Sequence, residues 1–175
     1  MAGRQEDIYF NIPFEIKNSL QERIAQEFSA YDRNGTNVLV QDDVGSILRA
    51  LGCVPLETDI REIVEETEFI DHRGEIHISK FVKFVEKMIA DQKMKPVGPE
   101  ILLEAFKLLD PENDCFIEKE KFYKLIKEHG EEMKEVELES MMRSAVDPLD
   151  GKIHYERYLR QLIYDPDDSV YKFMK

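Results

Sequence analysis

Single β-type apolar residues, set in short polar loops at near-constant spacing, constrain this chain more than any other feature. Leu39, Ile76, Ile117 and Ile153 follow one another at intervals of 37, 41 and 36 residues. Segments of helical apolar period flank each of them. Ile16, Leu20, Ile24 and Phe28 form one face, and residues 43–51 run into Gly52, a favourable helix terminator. After Pro55 come Ile60, Ile63 and Val64, then Phe81, Val82, Phe84, Val85, Met88 and Ile89. The second half repeats the plan with Ile101, Leu102, Phe106 and Leu109; Phe122, Leu125 and Ile126; Leu138, Met141, Met142 and Ala145; and Tyr158, Leu159 and Leu162. One helix–loop–helix unit has too little apolar surface to stand alone, so near-equal repeats must stack. The spacing predicts an all-α chain of eight helices in four pairs. Leu39 should face Ile76, and Ile117 should face Ile153, in short antiparallel bridges.

Two prolines and a glycine in Pro96-Val97-Gly98-Pro99 interrupt the pattern and divide the chain. The expected organisation is an N-terminal extension over 1–13, a first pair over 14–94, a second pair over 95–164 and a tail over 165–175. Acids outnumber bases 37 to 24, for a net charge of −13. The excess is even, with residues 1–90 at −7 and residues 91–175 at −6. A broad nucleic-acid surface is disfavoured, because phosphates are neutralised by Lys and Arg, and a basic partner is favoured. Cys53 and Cys115 are far apart and make no CxxC, which suits a reducing compartment. There is no apolar signal segment after Met1, and no run of the ~20 apolar residues that span a bilayer. The chain reads as soluble and intracellular.

The loops carry the pattern, or the remnant, of a calcium site. A 12-residue calcium loop places oxygens at positions 1, 3, 5, 7 and 9, glycine at 6 and a bidentate Glu at 12. In the first loop Asp32, Asn34 and Thr36 fill 1, 3 and 5, Asn37 replaces the glycine, Val40 stands at 9 and Asp43 at 12. Asp32, Asn34, Thr36 and Asp43 are therefore the candidate metal residues. In the second loop, position 1 falls on Phe69 counting back from Gly74 and on Glu68 counting forward from the helix, while Lys80 stands at 12. The third holds Asp110, Glu112, Asp114 and Glu118 but has Cys115 at 6 and Lys121 at 12; the fourth has Val146 at 1, Pro148 at 3 and Arg157 at 12. A positive charge ~4 Å from a divalent ion is opposed by roughly 8 kcal/mol at an effective dielectric of ~20, and two ligating oxygens are lost besides. These loops are read as struts that hold helix pairs together without a cofactor. A calcium sensor with one residual site in the first loop is the alternative.

His72, His77, His129 and His154 show no metal spacing, and no phosphate loop or nucleophile motif occurs, so no enzyme is expected. A lobe that needs no calcium still offers an apolar groove to an amphipathic helix. The candidate groove residues are Leu48, Leu51, Ile63, Val64 and Met88 in the first half, and Leu125, Met141, Met142 and Leu162 in the second, with flexible methionines suited to the task.

Glu27-Phe28-Ser29-Ala30-Tyr31-Asp32, Arg49-Ala50-Leu51-Gly52-Cys53-Val54-Pro55 and Asp150-Gly151-Lys152-Ile153-His154-Tyr155-Glu156 resemble calmodulin-like EF-hand proteins. Lys95 through Asp110, Ser144-Ala145-Val146-Asp147-Pro148, His154-Tyr155-Glu156-Arg157-Tyr158 and Leu48-Arg49-Ala50-Leu51-Gly52-Cys53 resemble, more narrowly, the dynein regulatory complex subunit 8 family of motile cilia. The likeness covers roughly residues 20–163. It implies two lobes of paired EF-hands and a place in the nexin–dynein regulatory complex, in the axoneme of the cilium or flagellum. That complex links neighbouring doublets and regulates dynein-driven beating. The implied partners are other subunits of the complex; a light chain of another motor is a further alternative. Tyr9, Phe10 and Ile12, and Val170, Tyr171, Phe173 and Met174, put apolar clusters near both ends. The C-terminal cluster, preceded by Asp165-Pro166-Asp167-Asp168, is expected to dock on a neighbouring subunit; folding back on its own lobe is the alternative.

Overall fold

The computed structural model of the chain describes residues 12–162 and 169–173. Expectations that fall on Tyr9, Phe10, residues 163–168 and Met174 lie outside them. Helix α1 spans Ser19–Tyr31, capped by the Asn18 side chain, which accepts from the Gln21 N–H at 2.8 Å. The cap fixes the helix start, so Ile16 falls before it and is exposed rather than continuing the apolar face. Strand β1 (Val38–Val40) leads through a 3-10 turn (Gln41–Asp43) into α2 (Val44–Ala50). Helix α3 (Glu57–Thr67), β2 (Glu75–His77) and α4 (Ile78–Ala90) complete the first set. The second comprises α5 (Pro99–Leu108), β3 (Ile117–Glu118), α6 (Lys119–His129), α7 (Glu135–Ala145), β4 (Lys152–Ile153) and α8 (Tyr155–Leu162).

The bridges form in the expected register: Leu39 faces Ile76 and Ile117 faces Ile153, both antiparallel. The described residues make two compact units, 12–96 with 169–173, and 97–162. In the first, α1 packs on α4, tied by the Glu86 carboxylate, which accepts from Asn18 Nδ2 at 2.7 Å and Gln21 Nε2 at 2.6 Å. Its core joins Phe28, Phe81 (ring centroids 5.4 Å apart), Leu39, Ile47, Leu51, Ile76 and Val85.

The second unit is held by aromatic rings. Phe106 stacks on Tyr155 at 5.8 Å and lies 6.1 Å from Phe122, and Tyr158 meets Phe122 edge-on at 6.4 Å. Helix α5 packs on α8 but buries Phe106 alone, leaving Ile101 and Leu108 in solvent.

The expectation for the C-terminal segment is corrected. Residues 170–173 form a 3-10 turn, and Val170 is 0% exposed in the core of the first unit. Val170 and the half-buried Tyr171 thus fold back on their own unit, as in the alternative, while Phe173 stays exposed. Among the described residues, no helix is long and apolar enough to cross a membrane.

Candidate functional site

The loop register is settled by the backbone. Position 6 of the four loops falls on Asn37, Gly74, Cys115 and Gly151, and all four adopt positive φ, at 59°, 82°, 64° and 74°. Glycine takes this conformation freely and asparagine tolerates it, whereas cysteine is strained there. The amide of each sixth residue finds an acceptor in its own loop or, in the second, on the residue just before it. Asn37 donates to the Asp32 carboxylate at 2.6 Å, Gly74 to Glu68 at 2.9 Å, Cys115 to Asp110 at 2.8 Å and Gly151 to the Asp147 carbonyl at 2.9 Å. Glu68 thus does in the second loop what a first-position Asp does in the first and third. Its extra methylene compensates for the inserted residue, which resolves the two ways of counting that loop.

Position 12 holds the more informative geometry. Lys80 Nζ donates to the Glu68 carbonyl at 2.9 Å, and Lys121 Nζ to the Leu109 carbonyl at 2.6 Å. Each reaches back twelve residues, to the residue just before its loop. Arg157 in the fourth loop pairs with the Asp147 carboxylate. Where an EF-hand Glu would reach an ion, these side chains bring a positive charge and tie it to the loop's own first turn. The second, third and fourth loops therefore do not fit calcium. In the first, Asp32 and Thr36 come together, with Oγ1 3.4 Å from Oδ1, while Asn34 is exposed and Asp43 ends the 3-10 turn, half-buried. Among the described residues, no group of three or more His, Cys, Asp or Glu could hold a metal ion.

Asp110 illustrates the substitution. Its carboxylate accepts from the Asp114 and Cys115 amides at 3.0 and 2.8 Å and from the Tyr155 hydroxyl at 3.1 Å. Burial pushes this carboxyl up, but the donors outweigh it and hold it below the usual range. Burial, then the bond to Asp110, pushes Tyr155 up to about 12. Sequence reasoning missed Tyr155, because nothing in the spacing says that the first residue of α8 reaches the third loop.

The candidate groove residues divide by unit. Leu48, Leu51, Ile63 and Met88 are sealed in the first core, with Val64 half-buried against it. A side chain without exposed surface touches no partner, so in this state they are core and not groove wall. In the second unit Met142 is buried, Leu125 and Met141 are half-buried and Leu162 is exposed. Met141 and Leu162 line an open cleft of about 480 Å³ together with Glu137, Ser140, Ser144, Tyr158 and Gln161. The unit over residues 97–162 carries 16 acids and 10 bases, net −6.

No protein-family model matches the chain. Dynein regulatory complex protein 8 of Mus musculus is 30% identical over 146 residues, which covers 83% of this chain and 89% of the relative. The chain belongs to the dynein regulatory complex protein 8 family. Calmodulin-like protein 6 of Oryza sativa subsp. japonica is 26% identical to this family member over 154 residues, covering 83% of this chain and 89% of the relative. Among solved structures, Mlc1p bound to IQ2 of Myo2p, a class V myosin, superposes with a TM-score of 0.61 at 18% identity, covering 80% of this chain and 96% of that one. At that identity the likeness establishes the fold: the dynein regulatory complex protein 8 family member is a calmodulin-like chain of paired EF-hands.

Proposed function

We propose that this chain is a non-catalytic adaptor subunit of the nexin–dynein regulatory complex in the axoneme of motile cilia, gripping a basic amphipathic helix of another subunit in its second unit. The observation that carries the reading is the open cleft lined by Met141, Tyr158 and Leu162 beside Glu137. It presents flexible apolar surface with acidic character, the complement of a basic amphipathic helix. Family membership supports this assembly, and the cations built into three loops support a grip that does not wait for calcium.

The test is purification of the tagged chain from axonemes, with mass spectrometry of what accompanies it, in calcium and in chelator. The expected result is recovery of the regulatory-complex subunits equally in both. Met141→Asp with Leu162→Asp should reduce recovery by about tenfold, since two charges enter an apolar contact. Strictly calcium-dependent recovery would favour the residual sensor, and recovery with a different motor would favour a light chain elsewhere. Calorimetry on the isolated chain should find no calcium site tighter than ~10⁻⁵ M, the first loop included.

A further inference from the structure

The first unit is shut by a part of the chain that follows the second unit in sequence. Val170, wholly buried, sits in the core built by α1, α2 and α4, and Ser169 beside it is also buried. The Val170 N–H donates to the Leu51 carbonyl at 3.2 Å. Leu51 ends α2, so its carbonyl is one of the last-turn acceptors that a helix cannot satisfy itself. One residue on, the Tyr171 hydroxyl lies 3.8 Å from Cys53 Sγ, in the short linker between α2 and α3. Ser169 Oγ accepts from the Tyr171 N–H at 3.3 Å and helps to shape the turn. One apolar anchor, one backbone bond and one aromatic contact converge where α2 passes into that linker, and the turn also packs on α1. The first unit differs from the second here, since among the described residues no comparable segment covers the cleft of Met141 and Leu162.

We propose that residues 169–173 are an intramolecular strap that docks on the first unit and holds it closed. With the strap in place, Leu48, Leu51, Ile63 and Met88 stay core. Its departure uncaps α2, opens the site under Val170 and bares Cys53, so that the first unit acquires apolar surface only then. This device goes beyond the adaptor reading and does not depend on it, because strap and site belong to one chain and act without a partner.

Cys53 is the natural reporter. It is buried, and burial, partly offset by the bond from Tyr171, pushes its thiol up to about 11, so the reactive thiolate is scarce at neutral pH. Cys115 is exposed. In the full chain carrying Cys115→Ser, Cys53 is the remaining thiol, and its reaction with an aromatic disulfide reagent at neutral pH reads the strap. The parent should react slowly. Val170→Asp should react at least ~tenfold faster with unchanged far-ultraviolet circular dichroism, because a docked aspartate would be buried without a partner. Equal rates in the two proteins would overturn the proposal. If Val170→Asp loses helix content, amide exchange in the unmutated chain decides instead. A docked strap slows exchange of the Val170 amide by ~tenfold or more relative to a free chain, and exchange at the free-chain rate would overturn the strap.

Discussion

A lysine at the last position of a calcium loop is more than a lost ligand here, because it finds a carbonyl within reach. The chemistry is reversible by design. In the third loop Asp110, Glu112, Asp114 and Glu118 still stand at positions 1, 3, 5 and 9. Lys121→Glu combined with Cys115→Gly should create calcium binding on the order of 10⁻⁵ to 10⁻⁴ M, seen by calorimetry and absent from the parent at that loop. Cys115→Gly alone should stabilise the second unit by about 1 kcal/mol, read from denaturant midpoints, because cysteine at φ 64° carries strain that glycine does not.

His77 is a second residue-scale device. It is fully buried, its Nδ1 accepts the Ser79 N–H at 3.1 Å as the cap of α4, and its Nε2 has no hydrogen-bond partner among the described residues. Burial, and then the charge of Lys80, lower its pKa from 6.5. The unfolded chain therefore takes up this proton first. The stability from neutral His77 is complete above pH 6.5 and is lost as pH falls from there through the lowered folded value. Between about pH 7.5 and 5.5 the parent should lose more stability in urea than His77→Asn, which keeps a capping acceptor but does not titrate.

At the scale of elements, each unit depends on a bridge only two or three residues long. Ile153 has no exposed surface and faces Ile117, which is also buried. Ile153→Asp places an unpaired charge between two loops and should cost several kcal/mol, observed as early melting of the second unit with the first unit's transition retained. Helix α5 shows the opposite extreme. Its sequence is rich in apolar residues, yet only Phe106 is buried; Leu102 and Leu103 are half-buried against the same core, and Ile101 and Leu108 stay in solvent.

For the molecule as a whole, the two units are unequal. Among the described residues, the first core contains 20 buried apolar side chains, Val170 among them, and the second contains 10. Stability scales with buried apolar area, so on heating the second unit should lose amide protection first. Exchange followed by mass spectrometry checks this: peptides from 97–162 should open at lower temperature than those from 12–96. A bound basic helix should narrow the gap, since a ligand for the folded state stabilises it by mass action. The unit expected to open first is also the one we propose for the partner, since a surface that must adapt is drawn from the less stable part of a fold.

The repeat of helices and loops, the facing of Leu39 with Ile76 and Ile117 with Ile153, and the unsuitability of Lys80, Lys121 and Arg157 as calcium ligands were all determined by the sequence alone. Each depends on local period, on spacing along one chain or on the charge of one residue, and none needs to know what lies across the fold. Ile16 went astray because period does not locate a cap; Asn18 does. What Lys80 and Lys121 do in place of binding metal, the reach of Tyr155 to Asp110 across 45 residues, and the return of Val170 to Leu51 were decided only by tertiary structure. The same holds for the groove residues. Leu48 and Leu51 have the same apolar character as Leu162, but the first two are enclosed in a core that joins the helices of the first unit with Val170 from the far end of the sequence, whereas Leu162 remains in solvent. Apolar character says that a side chain gains by leaving water; which surface receives it depends on packing between segments distant in sequence, which no local pattern encodes.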